Sequence, residues 1–180
     1  MNWKDQLKIL EYQKKWDPAI IFMQKVITEN PNDLDAYLSI NYLLMNLLVE
    51  EDYDSNNHDY YADLLKKYFT KSYSKFYQDA EYLFFSAIIA FMSEWYFDIS
   101  IEKAREMMKQ ATILDPESIL YKWGYYAYLD MRNAENKKHA MTYAHLVLAQ
   151  NSFIKKILES KGALGEYILA IMANWAKDSK

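Results

Sequence analysis

The residue types best suited to chemistry in this chain lie in one acidic stretch, EEDYDSNNHDYYAD, at positions 50–63. Four of its side chains carry oxygen atoms at positions 1, 3, 5 and 12 of a twelve-residue calcium loop: Asp52, Asp54, Asn56 and Asp63. Oxygen ligands at this spacing can wrap a hard cation. Position 6, however, is Asn57, where such a loop has glycine, and the short arm of Asp63 makes bidentate coordination harder. A calcium-responsive helical protein is therefore one hypothesis.

The same stretch is also suited to binding a basic protein, because it contains six acids and no lysine or arginine. Its first three acids, at 50–52, end a predicted long helix, where a negative charge is disfavoured by about 0.3–1 kcal/mol at low salt. Acidic charge speeds the encounter with a basic partner, and tyrosine supplies contact area. The predicted partner-binding residues are Glu50, Glu51, Asp52, Tyr53, Asp54, Asp59 and Tyr60. A solvated connection between two helices stays open as the alternative.

Nothing else in the sequence has the pattern of an enzyme or cofactor site. The chain has no cysteine, which excludes thiolate metal sites and cysteine nucleophiles. His139 and His145 are six residues apart, so they lie on different faces of a helix, unlike the paired histidines of zinc hydrolases. The sequence contains neither a glycine-rich phosphate loop nor a nucleophile elbow. We therefore expect no catalytic residue and no cofactor.

The charge of the chain limits the class of partner. A net charge of −4 argues against direct nucleic-acid binding through phosphate contacts. Residues 1–97 carry a net charge of −6 and residues 98–180 one of +2, so the first half suits a basic protein partner. The longest apolar stretch is too short to span a bilayer, and the charged first residues do not resemble a signal peptide. We expect a cytoplasmic protein that does not bind membranes.

The composition predicts an all-α protein, because only three glycines and three prolines interrupt long runs of helix-forming residues. Helix starts are predicted at Asp17-Pro18 and Asp115-Pro116-Glu117, each a capping acid followed by proline, and Asn30-Pro31-Asn32-Asp33 is a similar turn-and-cap signal. The aromatic segment 76–97 is apolar on nearly every side, which predicts a buried helix. The predicted helices lie near residues 3–15, 18–29, 33–50, 59–71, 75–95, 100–114, 117–132, 136–150, 153–160 and 165–177.

A spacing of small residues recurs along these helices. Two small residues seven positions apart lie on one stripe of a helix and let a neighbouring helix approach closely, and a proline or serine five positions later begins the next helix. The four copies are Ala19, Val26 and Pro31; Ala62, Phe69 and Ser74; Ala104, Ala111 and Pro116; and Ala140, Val147 and Ser152.

This pattern resembles the tetratricopeptide repeat (TPR). The resemblance implies a stack of about four antiparallel helical hairpins, a TPR-like α-solenoid, with a C-terminal capping helix. At a first-helix position where the family has a small residue, this chain has Asn41, Phe84 and Tyr126, so these helix pairs should pack less tightly. We expect a single domain over residues 1–180. Its predicted hairpin units lie near 1–31, 32–74, 75–116 and 117–152, followed by capping helices over 153–180.

The leading functional hypothesis is a non-enzymatic protein-binding module. In size and charge, the chain resembles by type the immunity proteins of bacterial contact-dependent inhibition and polymorphic toxin systems. This resemblance implies that the chain masks a cognate basic toxin or nuclease. The alternative is a TPR-like adaptor or chaperone that binds peptides in a groove, for which the tyrosines of YKWGYYAYL at 121–129 are candidates. The oligomeric state stays open.

Overall fold

The computed structural model describes residues 2–150 and 152–177. The prediction of an all-α protein is confirmed: this part of the chain contains eleven α-helices, one 3-10 turn at Ser55–Asn57 and no strand. The helices are α1 Trp3–Tyr12, α2 Trp16–Glu29, α3 Leu34–Glu50, α4 His58–Phe76, α5 Ala80–Met92, α6 Glu94–Phe97, α7 Ile101–Leu114, α8 Ile119–Ala127, α9 Ala134–Gln150, α10 Ser152–Ser160 and α11 Ala163–Lys177. Within these ranges no helix is long and apolar enough to cross a bilayer.

The helix boundaries differ most from the prediction between residues 71 and 101. Helix α4 continues to Phe76, and Asp79 then begins α5 by accepting the backbone N–H of Tyr82 at 2.9 Å. Ser93 separates α5 from the short helix α6, which the sequence analysis missed. The predicted burial of this aromatic segment is confirmed only for its middle, where every residue from Tyr82 to Ala90 is buried. Tyr77 and Trp95, near its two ends, are exposed.

Internal contacts divide the chain into two compact units. The first unit contains Met1–Tyr77 and Ile89–Ser100, and the second contains Gln78–Ile88 and Ile101–Lys180. The predicted single domain and its hairpin boundaries stay predictions.

In the first unit, α1 packs against α2, α2 against α3, α3 against α4, and α6 against α4. The indole N–H of Trp3 donates to Asp33 at 3.1 Å, which ties α1 to the start of α3. The other carboxylate oxygen of Asp33 accepts the N–H of Ala36, so the turn-and-cap signal predicted at 30–33 is confirmed, with Asp33 as the capping residue. Asn41 lies in the core, where its Nδ2 donates to the Ser72 hydroxyl at 3.2 Å.

In the second unit, α7 packs on α8, α8 on α9, and α11 on both α9 and α10. Two glycines allow close approaches. A Cβ atom on Gly124 would lie 2.5 Å from the Phe84 ring, and one on Gly165 would lie 1.7 Å from the Leu158 carbonyl oxygen. Gly162 connects α10 to α11 with a φ of +60°, a conformation that glycine adopts without steric cost.

Most of the repeated small residues are buried as the spacing predicts. Ala19, Ala104, Ala111 and Ala140 have no exposed surface. In the weaker copy Ala62 is only half-buried, and Ser74 lies inside α4 and does not begin a helix.

Two predicted capping acids are wrong. The residue before α2 is Lys15, and Asp17 lies inside the first turn of that helix. Helix α8 is capped by Ser118, whose hydroxyl accepts the N–H of Tyr121, while Asp115 lies in the preceding turn. In both places, a proline close to a helix start indicates the region of the start but not its first residue.

Candidate partner-binding surface

The acidic stretch joins α3 to α4 within the first unit. Glu50 is the last residue of α3, residues 51–54 are non-helical, and the 3-10 turn follows. Asp54 begins this turn, because its carboxylate accepts the backbone N–H of Asn56 at 3.0 Å. The connection is therefore an ordered turn with defined side-chain contacts.

Most of the predicted binding acids point to solvent. Glu50, Asp52, Asp54 and Asp59 are exposed. Glu51 differs, because it is half-buried and lies 2.8 Å from the Lys14 ammonium group. The hydrogen bond and charge of Glu51 raise the pKa of Lys14 above its ordinary value. Glu51 thus anchors the end of α3 to the loop between α1 and α2.

The three tyrosines of the stretch have different roles. Tyr60 is 52% exposed, as a binding residue requires. Tyr53 is half-buried, and its hydroxyl lies 2.6 Å from Nδ1 of His58. Tyr61 is 2% exposed and donates its hydroxyl hydrogen to Asp17 at 2.6 Å. Only Tyr60 therefore offers a large free ring, while Tyr53 and Tyr61 hold the loop in place.

The bond between Tyr61 and Asp17 ties the start of α4 to the start of α2. Burial of the Tyr61 ring, followed by its hydrogen bond to Asp17, raises the pKa of Tyr61 to about 12. A single sequence gives no signal for this pair, since its members are 44 residues apart.

A further group of aromatic residues, which the sequence analysis did not single out as a site, lies next to the acidic stretch. His58 has Tyr53 on one side and Tyr96 of α6 on the other, with ring centroids 6.2 Å and 5.6 Å away. Trp95 precedes Tyr96, with 5.7 Å between their rings, and is 63% exposed. The break in helical pattern at Ser93 was the only sequence signal that could have located this group.

Helix α6 is fixed on α4. The buried Phe97 meets Phe69 of α4 at 4.9 Å between ring centroids. Asp98 ends α6 with a φ of +55° and lies 2.8 Å from the Lys66 ammonium group. This hydrogen bond and charge lower the pKa of Asp98. The exposed indole of Trp95 is therefore carried by a firmly held backbone.

The calcium-loop residues are not brought together as a cation site. Throughout residues 2–150 and 152–177, no three His, Asp or Glu side chains form a group that could hold a metal ion. Asp54 is engaged with the backbone of the 3-10 turn, and Asp63 lies in the second turn of α4. The calcium hypothesis stays a prediction of the sequence.

The chain was compared with known proteins in three ways. Models of protein families give no match, and neither the curated proteins nor the solved structures compared with the chain give one.

Proposed function

We propose that this chain is a non-enzymatic, TPR-like protein-binding module and acts in the cytoplasm as an acidic immunity-type inhibitor. Its partner in this proposal is a cognate basic toxin or nuclease. The binding surface consists of the exposed members of the 50–63 stretch, and inhibition results from covering the basic groups with which the toxin holds its substrate.

One observation carries the proposal. Glu50, Asp52 and Asp59 are exposed and form no ion pair within the part of the chain that the structure describes. The connection that presents them is tied to the α1–α2 loop through Lys14 and to α2 through the hydroxyl of Tyr61. Uncompensated acids on a pre-organised frame suit a basic partner, because little conformational entropy is lost when they bind.

The all-helical architecture supports the TPR-like part of the proposal. Consecutive helices from α1 to α4 pack together in the first unit, and those from α7 to α11 do so in the second. Buried alanines recur at seven-residue spacing on α7, where Ala104 and Ala111 are fully buried. Stacked helices of this kind provide extended binding faces without any catalytic group.

A second candidate, a peptide-binding adaptor, is favoured by one observation in the second unit. Tyr126 of α8 stacks on His139 and Tyr143 of α9, with ring centroids 4.5 Å and 5.9 Å away. His139 is exposed and the two tyrosines are half-buried, so this stack offers an aromatic face to an extended peptide.

Co-expression tests the leading proposal. Each protein whose gene neighbours the gene of this chain is expressed in a host cell, once alone and once together with the chain. An inhibitor relieves the growth arrest caused by one basic protein and binds it in a one-to-one complex that weakens as salt is added, as calorimetry would measure. An adaptor relieves no growth arrest and binds short peptides from several proteins. Either absence of rescue or binding that salt does not affect would contradict the inhibitor proposal.

A further inference from the structure

We propose that Trp95 is the aromatic anchor of the acidic surface and that it receives an arginine side chain from the basic partner. This inference rests on the proposed function and adds to it a residue, a helix and a specific chemistry of recognition.

The first argument is the placement of Trp95. An indole that is 63% exposed leaves a large apolar ring in water, although the residues that follow it are well packed. Tyr96 lies against His58, and Phe97 is buried against Phe69, so the backbone of α6 is held directly after the exposed ring. A fixed, exposed tryptophan loses little side-chain entropy on binding, which is the property of an interface anchor.

The second argument is continuity with the acidic stretch. An unbroken series of ring contacts leads from Tyr60 to Trp95, each between centroids 5.5 to 6.2 Å apart. The six rings in order are Tyr60, Tyr61, Tyr53, His58, Tyr96 and Trp95. The two exposed ends of this series, Tyr60 and Trp95, therefore belong to one supported aromatic layer of the first unit.

The third argument is charge. The segments 50–63 and 94–98 together contain eight acids and no lysine or arginine. Lys14 and Lys66 compensate one acid in each segment, Glu51 and Asp98. The other six acids form no ion pair within residues 2–150 and 152–177: Glu50, Asp52, Asp54, Asp59, Asp63 and Glu94.

A surface that combines excess negative charge with an exposed indole favours arginine over other basic groups. The flat guanidinium group stacks on an aromatic face while it donates hydrogen bonds to carboxylates at its edge. Lysine offers a compact and more strongly hydrated charge, which gains less from the ring. Glu94 directly precedes Trp95 and supplies a carboxylate within the same helix.

Two nine-residue peptides, one with alternating arginine and glycine and one with lysine in place of arginine, serve as probes. Each is titrated into the nitrogen-15-labelled full chain at low salt while the five tryptophan indole signals are followed by NMR. The Trp95 signal is assigned from Trp95→Phe. We expect the arginine peptide to shift this signal saturably and to bind at least about threefold more tightly than the lysine peptide.

Two substitutions test the anchor. Trp95→Ala should weaken binding of the arginine peptide at least about fivefold, and Trp95→Phe should weaken it less, because a smaller ring remains. Phe153→Ala is the control, since Phe153 is 70% exposed and belongs to the second unit. It should leave the affinity unchanged. Thermal melting of each variant checks that the fold is retained.

The outcomes separate this inference from the proposed function. The anchor is wrong and the acidic surface stands if three results coincide. The arginine peptide shifts the backbone signals of residues 50–63, it leaves the Trp95 indole signal in place, and it binds Trp95→Ala as tightly as the unchanged protein. If no signal from residues 50–63 moves with either peptide, the acidic surface itself is wrong. If the Trp95 signal instead depends on protein concentration without peptide, a second copy of the chain is its occupant, which also overturns the inference.

Discussion

At the scale of single residues, buried polar groups set the geometry of the first unit. The hydroxyl of Tyr61 and the amide of Asn41 are both removed from water, yet their circumstances differ. Tyr61 has a partner in Asp17, whereas Oδ1 of Asn41 has no hydrogen-bond partner among the residues that the structure describes. A satisfied buried group stabilises a fold modestly, and an unsatisfied one carries a desolvation cost.

Tyr61→Phe should lower the free energy of unfolding by about 1–2 kcal/mol at pH 7, because it removes the hydrogen bond to the Asp17 carboxylate. The effect should depend on pH. The pKa of Tyr61 is raised from 10.0 to about 12 in the folded protein, so its contribution is complete below pH 10 and is lost as the pH rises through 12. Urea denaturation of both proteins at pH 7, 9 and 11 should show the difference narrowing only at the highest pH. A difference that stays constant to pH 11 would contradict this assignment.

Asn41→Leu should leave the free energy of unfolding unchanged or raise it by about 1 kcal/mol, because it removes an unsatisfied buried oxygen at similar volume. Ser72 keeps its own hydrogen bond to the Phe69 carbonyl at 2.9 Å. Asn41→Asp is the matched comparison and should lower the same quantity by about 3 kcal/mol at neutral pH, since it places an unpaired charge in the core. Urea denaturation measures both, and a large loss in the leucine variant would show that the amide is needed.

At the scale of helices, small residues determine how closely neighbours approach. The pattern was visible in the sequence for Ala104 and Ala111, and the structure buries both completely. Gly165 makes the same contribution between α10 and α11. The turn between these two helices falls at Gly162, where the backbone has a positive φ.

Gly165→Ala should lower the free energy of unfolding by about 2–3 kcal/mol, because the added methyl group would overlap the Leu158 carbonyl and push α10 from α11. This loss should occur although alanine favours an isolated helix by about 1 kcal/mol over glycine. Gly162→Ala separates steric overlap from backbone strain, since no atom of the described residues lies within 4 Å of its added Cβ. Gly162→Ala should lower the free energy of unfolding by only about 1–2 kcal/mol, because alanine is strained in the left-handed conformation. Thermal denaturation that ranks the two variants in the opposite order would refute the packing argument.

At the scale of the whole molecule, the uneven charge directs the proposed binding. Residues 1–97 carry a net charge of −6, and six acids that form no ion pair in the described structure lie at 50–63 and 94. A local concentration of this kind should accelerate association with a basic partner and make the rate sensitive to ionic strength.

The triple variant Glu50→Gln, Asp52→Asn and Asp59→Asn should bind the partner identified by rescue about tenfold more weakly at low salt and lose most of the salt dependence. Glu51 and Asp54 are left unchanged because they have structural contacts: Glu51 pairs with Lys14, and Asp54 caps the 3-10 turn. The control changes net charge equally at exposed acids of the second unit: Glu106→Gln, Glu117→Gln and Glu159→Gln. Calorimetry at two salt concentrations measures the affinity of both variants for the partner. If both lose affinity equally, the effect comes from the net charge of the chain and not from the proposed surface.

The sequence by itself determined the all-α class, the approximate position of most helices, the burial of the middle of the aromatic segment and the location of the acidic stretch. These features depend on local composition and on periodicity along one helix, both of which a single sequence contains. The acids at 50, 52 and 59 were expected to be exposed, and they are.

Only the tertiary structure decided which members of that stretch are available. Glu51 and Tyr61 are tied to Lys14 and Asp17, residues 37 and 44 positions away, and Trp95 reaches the same aromatic layer through a helix that no periodicity indicated. Such pairings depend on how helices distant in sequence are brought together, and no local pattern encodes that distance. The same residue types therefore act as free acids, loop anchors or an exposed ring according to what the fold places beside them.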